Sequence, residues 1–319
     1  MRHLFQRGFS LEWILPNAAI RIEEPPSLGV RVLRDDLLHP FASGNKVRKL
    51  DGLLPRFRSG GVSDVVTCGG LQSAHTAAVA VLCAQLGMRA HLVLRGPEMG
   101  EPTGNLLISK LFGQVTLVDR DTYSDREAAM DVVAEPLRLA GGTVAVVPEG
   151  GLSAGGMEGL VRLVEGLARA LPDASHTLVV DAGTGATALG LAIGILTYGL
   201  PWRVRAVELM KPGSYDYRSK VECAFDAYRA EHRGPQLEAE LPIDWVPRAT
   251  PRRFGKILPG EMESCAQLAR QSGVLFDPIF TLPALEEARR TPEGLLIHTG
   301  GSMNIFSLAQ RVGQGFLDT

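Results

Sequence analysis

Asp64-Val65-Val66-Thr67-Cys68-Gly69-Gly70-Leu71-Gln72-Ser73-Ala74-His75-Thr76-Ala77-Ala78-Val79 joins an apolar run, a double glycine and the start of an alanine-rich stretch that continues to Leu86. The run predicts a buried strand over 64–67, the glycines a turn, and residues 73–86 a helix. The same unit recurs downstream. Strands are expected at 90–94, 115–118 and 143–147, alternating with helices at 104–112 and 126–140. Strands separated by helices of this length form a parallel sheet with right-handed crossovers.

A glycine-rich segment, Glu149-Gly150-Gly151-Leu152-Ser153-Ala154-Gly155-Gly156, then opens a helix over 157–170 and the series restarts. Strands are predicted at 176–181, 202–207, 244–246, 274–276 and 295–298, with helices at 188–196, 261–271 and 283–290 and a charged, partly helical connection over 211–240. Upstream, Val30–Leu33 reads as a short strand ending at Arg34-Asp35-Asp36, after a proline-broken start. The expected fold class is α/β, with two open-sheet domains: 41–147, and 1–40 together with 148–319. A chain of 319 residues, 45% hydrophobic and 21% charged, is long enough for two such cores sharing a cleft.

With 33 basic and 35 acidic residues the net charge is −2, so no polycationic surface favours nucleic acid or an anionic membrane. No run of about 18 apolar residues is present, and the first residues lack the apolar core of a signal peptide. A cytoplasmic protein with a small-molecule substrate is the expectation. Cys68, Cys83, Cys223 and Cys265 show no CxxC pair, and the histidines have no metal-ligand spacing, so reduced thiols and no metal are expected.

Ahead of the first strand–helix unit stands Phe41-Ala42-Ser43-Gly44-Asn45-Lys46-Val47-Arg48-Lys49-Leu50. Ser43-Gly44-Asn45 has N-cap chemistry, and Val47, Leu50, Leu53 and Leu54 recur at helical spacing, which puts Lys46 in the first turn. A cation there opposes the helix dipole. Such a lysine either serves an imine bond to an aldehyde cofactor or is simply solvated.

Three glycine-rich turns, 69–73, 183–187 and 299–302, each follow a strand and precede a helix. In an open parallel sheet they lie at the carboxyl edge, where free amides meet a helix N-terminus. Gly183-Thr184-Gly185-Ala186-Thr187 is the best phosphate candidate, because small residues admit close approach and two hydroxyls add donors. A tight turn serving only strand–helix packing is the other reading. Neither the GxxxxGK[ST] loop nor GxGxxG is present there.

Arg34-Asp35-Asp36, Gly44-Asn45-Lys46-Val47-Arg48-Lys49-Leu50, Gly69-Gly70-Leu71-Gln72-Ser73-Ala74-His75, the 183–187 loop, Asp277-Pro278-Ile279-Phe280-Thr281 and His298-Thr299-Gly300-Gly301 resemble, in order, the 1-aminocyclopropane-1-carboxylate deaminase and D-cysteine desulfhydrase family of fold-type II pyridoxal phosphate enzymes. The resemblance covers nearly the whole chain from Arg34 onward. It implies a tryptophan synthase β-like fold with the cofactor, pyridoxal 5'-phosphate, in the interdomain cleft, and a homodimer. It also implies that Lys46 holds the cofactor as an imine, Asn45 bonds its 3-oxygen, Gly183, Thr184, Gly185, Ala186 and Thr187 hold its phosphate, Ser73 grips the substrate carboxylate and Thr281 faces the pyridine nitrogen. Apolar surface in the 1–30 and 200–225 regions is expected to be in surplus for a monomer.

Three positions depart from the family pattern. Phe280 and Phe254 stand where the family has tyrosines, and Ala74 replaces the asparagine after the substrate serine. A phenylalanine fills the volume but donates no proton. The expected activity is therefore α-proton removal and β-elimination on a small amino acid with an altered substrate, Lys46 or Ser73 carrying the proton. β-Replacement and racemisation are alternatives, and a non-catalytic cofactor or anion binder is a reading of another class. His75 either touches substrate or packs its helix; Tyr215 and Tyr217 are candidate replacement phenols.

Overall fold

The structure is a computed structural model and describes residues 13–313 apart from 43, 98–99, 172–174 and 233. The chain runs β1 (Ile22–Glu23), β2 (Arg31–Leu33), α1 (Gly44–Asp51), α2 (Leu53–Ser59), β3 (Asp64–Gly70), α3 (Ala74–Gln85), β4 (Arg89–Arg95), α4 (Gly104–Phe112), β5 (Gln114–Val118), α5 (Arg120–Ser124), α6 (Arg126–Leu139) and β6 (Val144–Val147). It continues with α7 (Ala154–Ala170), β7 (Thr177–Ala182), α8 (Ala186–Tyr198), β8 (Arg203–Glu208), α9 (Tyr217–Glu231), β9 (Ile243–Pro247), α10 (Glu261–Ser272), α11 (Thr281–Ala288), β10 (Gly294–Ile297) and α12 (Ser302–Val312).

Residues 64–147 supply a four-stranded sheet in the order β5-β4-β3-β6, parallel throughout. A second sheet has the order β1-β2-β10-β7-β8-β9, parallel except where β1 meets β2. Each sheet reverses its winding once: at β3/β6 in the first, at β7/β10 in the second. Such a reversal leaves a crevice outside the carboxyl ends of the two strands. The segments leaving all four strands, at Gly70, Glu149, Gly183 and Thr299, line one common cavity.

Helix α8 lies inside the larger lobe and is apolar nearly all round. Its Ala188, Leu191, Ala192 and Ile195 join Leu160, Leu163, Val164 and Leu167 of α7 and Leu178 and Val180 of β7 in one core. Helix α1 bridges the two sheets. Its Asn45 amide donates to the Thr299 carbonyl at 3.2 Å, Arg48 pairs with Asp35 just after β2, and Lys49 Nζ donates to the Gly150 carbonyl at 3.0 Å.

Several sequence expectations are corrected. Gly69 and Gly70 are not a turn: they finish β3, paired with Leu94 and Arg95. A Cβ on Gly69 would stand 2.6 Å from the Ser73 side chain, so glycine is needed for the chain to fold back, not to bend there. Residues 274–276 form no strand; Val274 and Phe276 are fully buried, but their backbone joins no ladder. Helices α7 and α8 start earlier than expected, so Ala186 and Thr187 belong to the first turn of α8. The apolar surplus expected over 1–30 falls partly on residues 1–12, outside the described residues. No large hydrophobic residue is exposed among the described residues of 13–30 and 200–225, whereas Phe41, Leu107, Leu111, Phe112 and Phe306 are. The Ser43 part of the N-cap reading lies outside the described residues. Among the described residues no helix is long and apolar enough to cross a membrane and no cluster of His, Cys, Asp or Glu is suited to a metal. All four cysteines are free, and only Cys223 is exposed.

Candidate active site

The shared cavity measures about 940 Å³, room for a cofactor and a substrate together. On its wall are Asn45, Lys46, Ser73, Ala74, His75, Gly183, Thr184, Gly185, Ala186, Thr187, Phe254 and Phe280. Thr281 is not on that wall. It is buried, its hydroxyl accepts the Asp277 amide at 2.8 Å and donates to the Asp277 carboxyl at 3.1 Å.

Lys46 is the third residue of α1, within the first turn as its sequence context predicts. Its Nζ donates to Asn45 Oδ1 at 2.7 Å, while Asn45 Nδ2 donates to Thr187 Oγ1 at 2.9 Å, so one amide joins the lysine to the start of α8. Burial pushes the Lys46 pKa below the ordinary lysine value, against the pull of the Asp181 carboxylate. A larger share of uncharged amine follows, which is the form that attacks an aldehyde.

The 183–187 loop closes onto α8 through Gly185, which has φ +87° and whose Cβ would stand 2.7 Å from Val221. Only glycine satisfies both constraints. The loop ends at the N-terminus of a 13-residue helix, whose first amides have no partner within the helix and attract anions. Sequence reasoning missed the cation behind it. Lys49 is buried, with its pKa held well below the usual value by burial and by the charge of Lys46. Its partner residue Gly150 abuts Thr184, where a Cβ would come within 2.8 Å of the threonine side chain. Lys49 follows Lys46 by three positions on one helix, a spacing that brings two side chains to one face and that the sequence already displayed.

Ser73 caps α3, its Oγ accepting the Thr76 amide at 3.3 Å, and its hydroxyl hydrogen stays available to the cavity. His75 is buried. The Thr67 hydroxyl donates to the Val147 carbonyl at 2.8 Å, so it accepts from His75 Nε2 at 3.0 Å and leaves Nδ1 a bare acceptor without a partner. Burial, with Lys49 and Lys46 beside it, drops the His75 pKa to about 3. Phe254 and Phe280 meet edge to face with centroids 5.6 Å apart. Of the two candidate phenols, Tyr215 lines the cavity and donates to the Thr184 carbonyl at 3.3 Å, whereas Tyr217 is buried off the cavity and donates to the Ala182 carbonyl at 2.8 Å.

A half-buried primary amine of lowered pKa, beside an anion site made of helix amides, two hydroxyls and a second lysine amine, fits the aldehyde and phosphate of pyridoxal phosphate. The pyridoxal-phosphate dependent enzyme family matches residues 18–300. A rice protein (Oryza sativa subsp. japonica) provisionally named D-cysteine desulfhydrase 2, mitochondrial, is 39% identical over 89% of this chain and 80% of its own. The Arabidopsis thaliana protein named bifunctional D-cysteine desulfhydrase/1-aminocyclopropane-1-carboxylate deaminase, mitochondrial, is 29% identical over 92% of this chain and 76% of its own. A crystal structure of an ACC deaminase homologue superposes with a TM-score of 0.82 at 28% identity, covering 97% of this chain and 95% of that one. The chain belongs to the pyridoxal-phosphate dependent enzyme family. Within it, this is an enzyme of the 1-aminocyclopropane-1-carboxylate deaminase and D-cysteine desulfhydrase type, with pyridoxal phosphate as its cofactor.

Proposed function

We propose that this enzyme removes the α-proton of a small amino acid and expels its β-substituent, and that its substrate is neither 1-aminocyclopropane-1-carboxylate nor D-cysteine. The observation that carries the reading is the meeting of Lys46, Ser73 and the 183–187 loop in one cavity that Phe254 and Phe280, in contact with each other, also line. When bound, the cofactor supplies an electron sink for the α-carbon. Lys46 Nζ takes the aldehyde and, with Ser73 Oγ, is the group able to carry the α-proton. Asn45 orients that nitrogen. The loop and Lys49 hold the phosphate. Ser73 and the first amides of α3 hold the substrate carboxylate, without help from Ala74. Thr281 keeps only an indirect part, since its hydroxyl is committed to Asp277.

Neither phenylalanine donates a proton or hydrogen-bonds a thiol, and positioned acid–base groups each contribute about 10²–10⁴-fold to rate. That loss supports a changed substrate. The proposal includes the division into a carboxylate-gripping domain, 41–147, and a cofactor domain of 1–40 with 148–319, and a homodimer in solution. The test is a yellow holoenzyme whose imine absorbance disappears on borohydride reduction, with the cofactor fixed at Lys46 by peptide mapping. An adduct at Lys49, or none, defeats the assignment. Keto acid and ammonia from a single amino acid then mark a lyase. A requirement for a second substrate marks β-replacement, and loss of optical rotation alone marks a racemase.

A further inference from the structure

The cavity has an outer wall that the cofactor cradle does not use. Arg95 ends β4, Arg120 opens α5, Tyr123 lies on α5 and Arg126 opens α6, and all four face the cavity. The Tyr123 ring is buried, with the guanidinium of Arg95 5.2 Å and that of Arg126 5.9 Å from its centroid. The Tyr123 hydroxyl donates to Glu149 Oε1 at 2.7 Å, and Arg126 Nε faces the other Glu149 oxygen at 3.3 Å. Glu149 is thereby occupied by Tyr123 and Arg126. Arg95 and Arg120 have no acidic partner among the described residues.

The Arg95 guanidinium lies over the Tyr123 ring, which leaves its N–H edge free, and such an edge, on Arg95 or on Arg120, matches a carboxylate, phosphate or sulfonate two oxygens at a time. Both residues are exposed, and both line the cavity. They line the same cavity as Lys46, which Phe254 and Phe280 also line. We propose that Arg95 and Arg120 bind an anionic group at the end of the substrate side chain, so that the preferred substrates are amino acids bearing a phosphate, sulfonate or carboxylate there. The inference rests on the reading of the Lys46 cavity as an amino-acid site, and it names the substrate class that this reading leaves open.

The experiment titrates the holoenzyme with both enantiomers of serine, O-phosphoserine, cysteate and aspartate while following the cofactor absorption. At least one anionic amino acid is expected to half-saturate the spectral change at a concentration about tenfold or more below serine of the same hand. Arg95→Gln and Arg120→Gln should each erase most of that advantage and leave serine within about twofold. The unliganded spectrum of each variant checks that the cofactor site is intact. Equal half-saturation by serine and every anionic analogue overturns the inference, as do variants that weaken serine and its analogues alike, since the arginines would then serve the α-carboxylate or the fold. If no amino acid changes the spectrum although borohydride still fixes the cofactor at Lys46, the amino-acid reading of the cavity fails and the inference with it. Ranking phosphate, sulfonate and carboxylate identifies the anion.

Discussion

The guanidinium of Arg48 grips both carboxylate oxygens of Asp35, Nε to Oδ2 at 2.6 Å and Nη2 to Oδ1 at 2.5 Å, with both residues almost fully buried. Arg48 Nη1 also donates to the Ala18 carbonyl at 2.8 Å. The pair clamps the helix carrying Lys46 and Lys49 to the segment after β2. Removing one partner strands a buried charge, which costs about 3–5 kcal/mol. Arg48→Ala is therefore expected to lower the unfolding free energy measured in urea by that amount, and a loss below about 1 kcal/mol would show that the clamp contributes little.

Lys49 predicts a separation between holding the cofactor and reacting with it. Its amine is buried with one carbonyl acceptor and a pKa well below the usual value, so a phosphate dianion beside Thr184 would supply the negative charge that favours its ammonium form. Lys49→Met should weaken cofactor binding about 10- to 100-fold, the worth of a charged hydrogen bond, while borohydride still fixes the cofactor at Lys46. Unchanged affinity in an equilibrium titration would refute the phosphate assignment.

His75 predicts a pH dependence. Its folded pKa of about 3 lies below the ordinary 6.5, so between those values the unfolded chain binds a proton that the folded one refuses. Stability falls as pH falls through that window. Between pH 7 and pH 5 this single group accounts for a loss of about 2 kcal/mol. His75→Gln, which cannot titrate, should shrink the acid loss measured by urea unfolding by that amount. An identical acid loss in wild type and variant rules the histidine out. Asp277 works in the opposite sense. Burial raises its pKa from 3.8 to about 6, so it favours the fold at low pH and loses that contribution as pH rises through 4–6.

The phenylalanines predict a gain. The Phe254→Tyr, Phe280→Tyr double variant returns two phenols to the cavity, and either desulfhydration of D-cysteine or ring opening of 1-aminocyclopropane-1-carboxylate should rise by about 10²-fold or more. Wild-type turnover of either compound as fast as that of its named relatives would mean that the two substitutions do not change the substrate.

Much of this fold is written locally. The run Asp64–Thr67 and the alanine-rich stretch after Ser73 each carry one period, and β3 and α3 fall where those periods place them. Gly69 and Gly70 misled because glycine signals a turn whether the need is for a bend or for close approach. Val274 and Phe276 read as strand because burial and extension give the same pattern with or without a ladder. Helix α5 was invisible: five residues capped by Asp119, whose side chain accepts the Thr122 amide at 2.8 Å, are too short to show periodicity. Of the site, Asn45, Lys46, Ser73, His75 and the 183–187 loop were legible from short motifs. The pairing of Tyr123 with Glu149, and the arginines around that ring, depend on where β4, α5 and β6 end relative to one another. No local pattern encodes that.

Four strand ends, two from each sheet, meet at the one cavity, so a molecule bound there is also a fastener between lobes. Every contact it makes with Thr184 on one side and Ser73 on the other enters the free energy that keeps the sheets apposed. At a free cofactor concentration 100 times its dissociation constant that linkage adds about 2.7 kcal/mol, enough for the melting temperature to serve as an occupancy gauge.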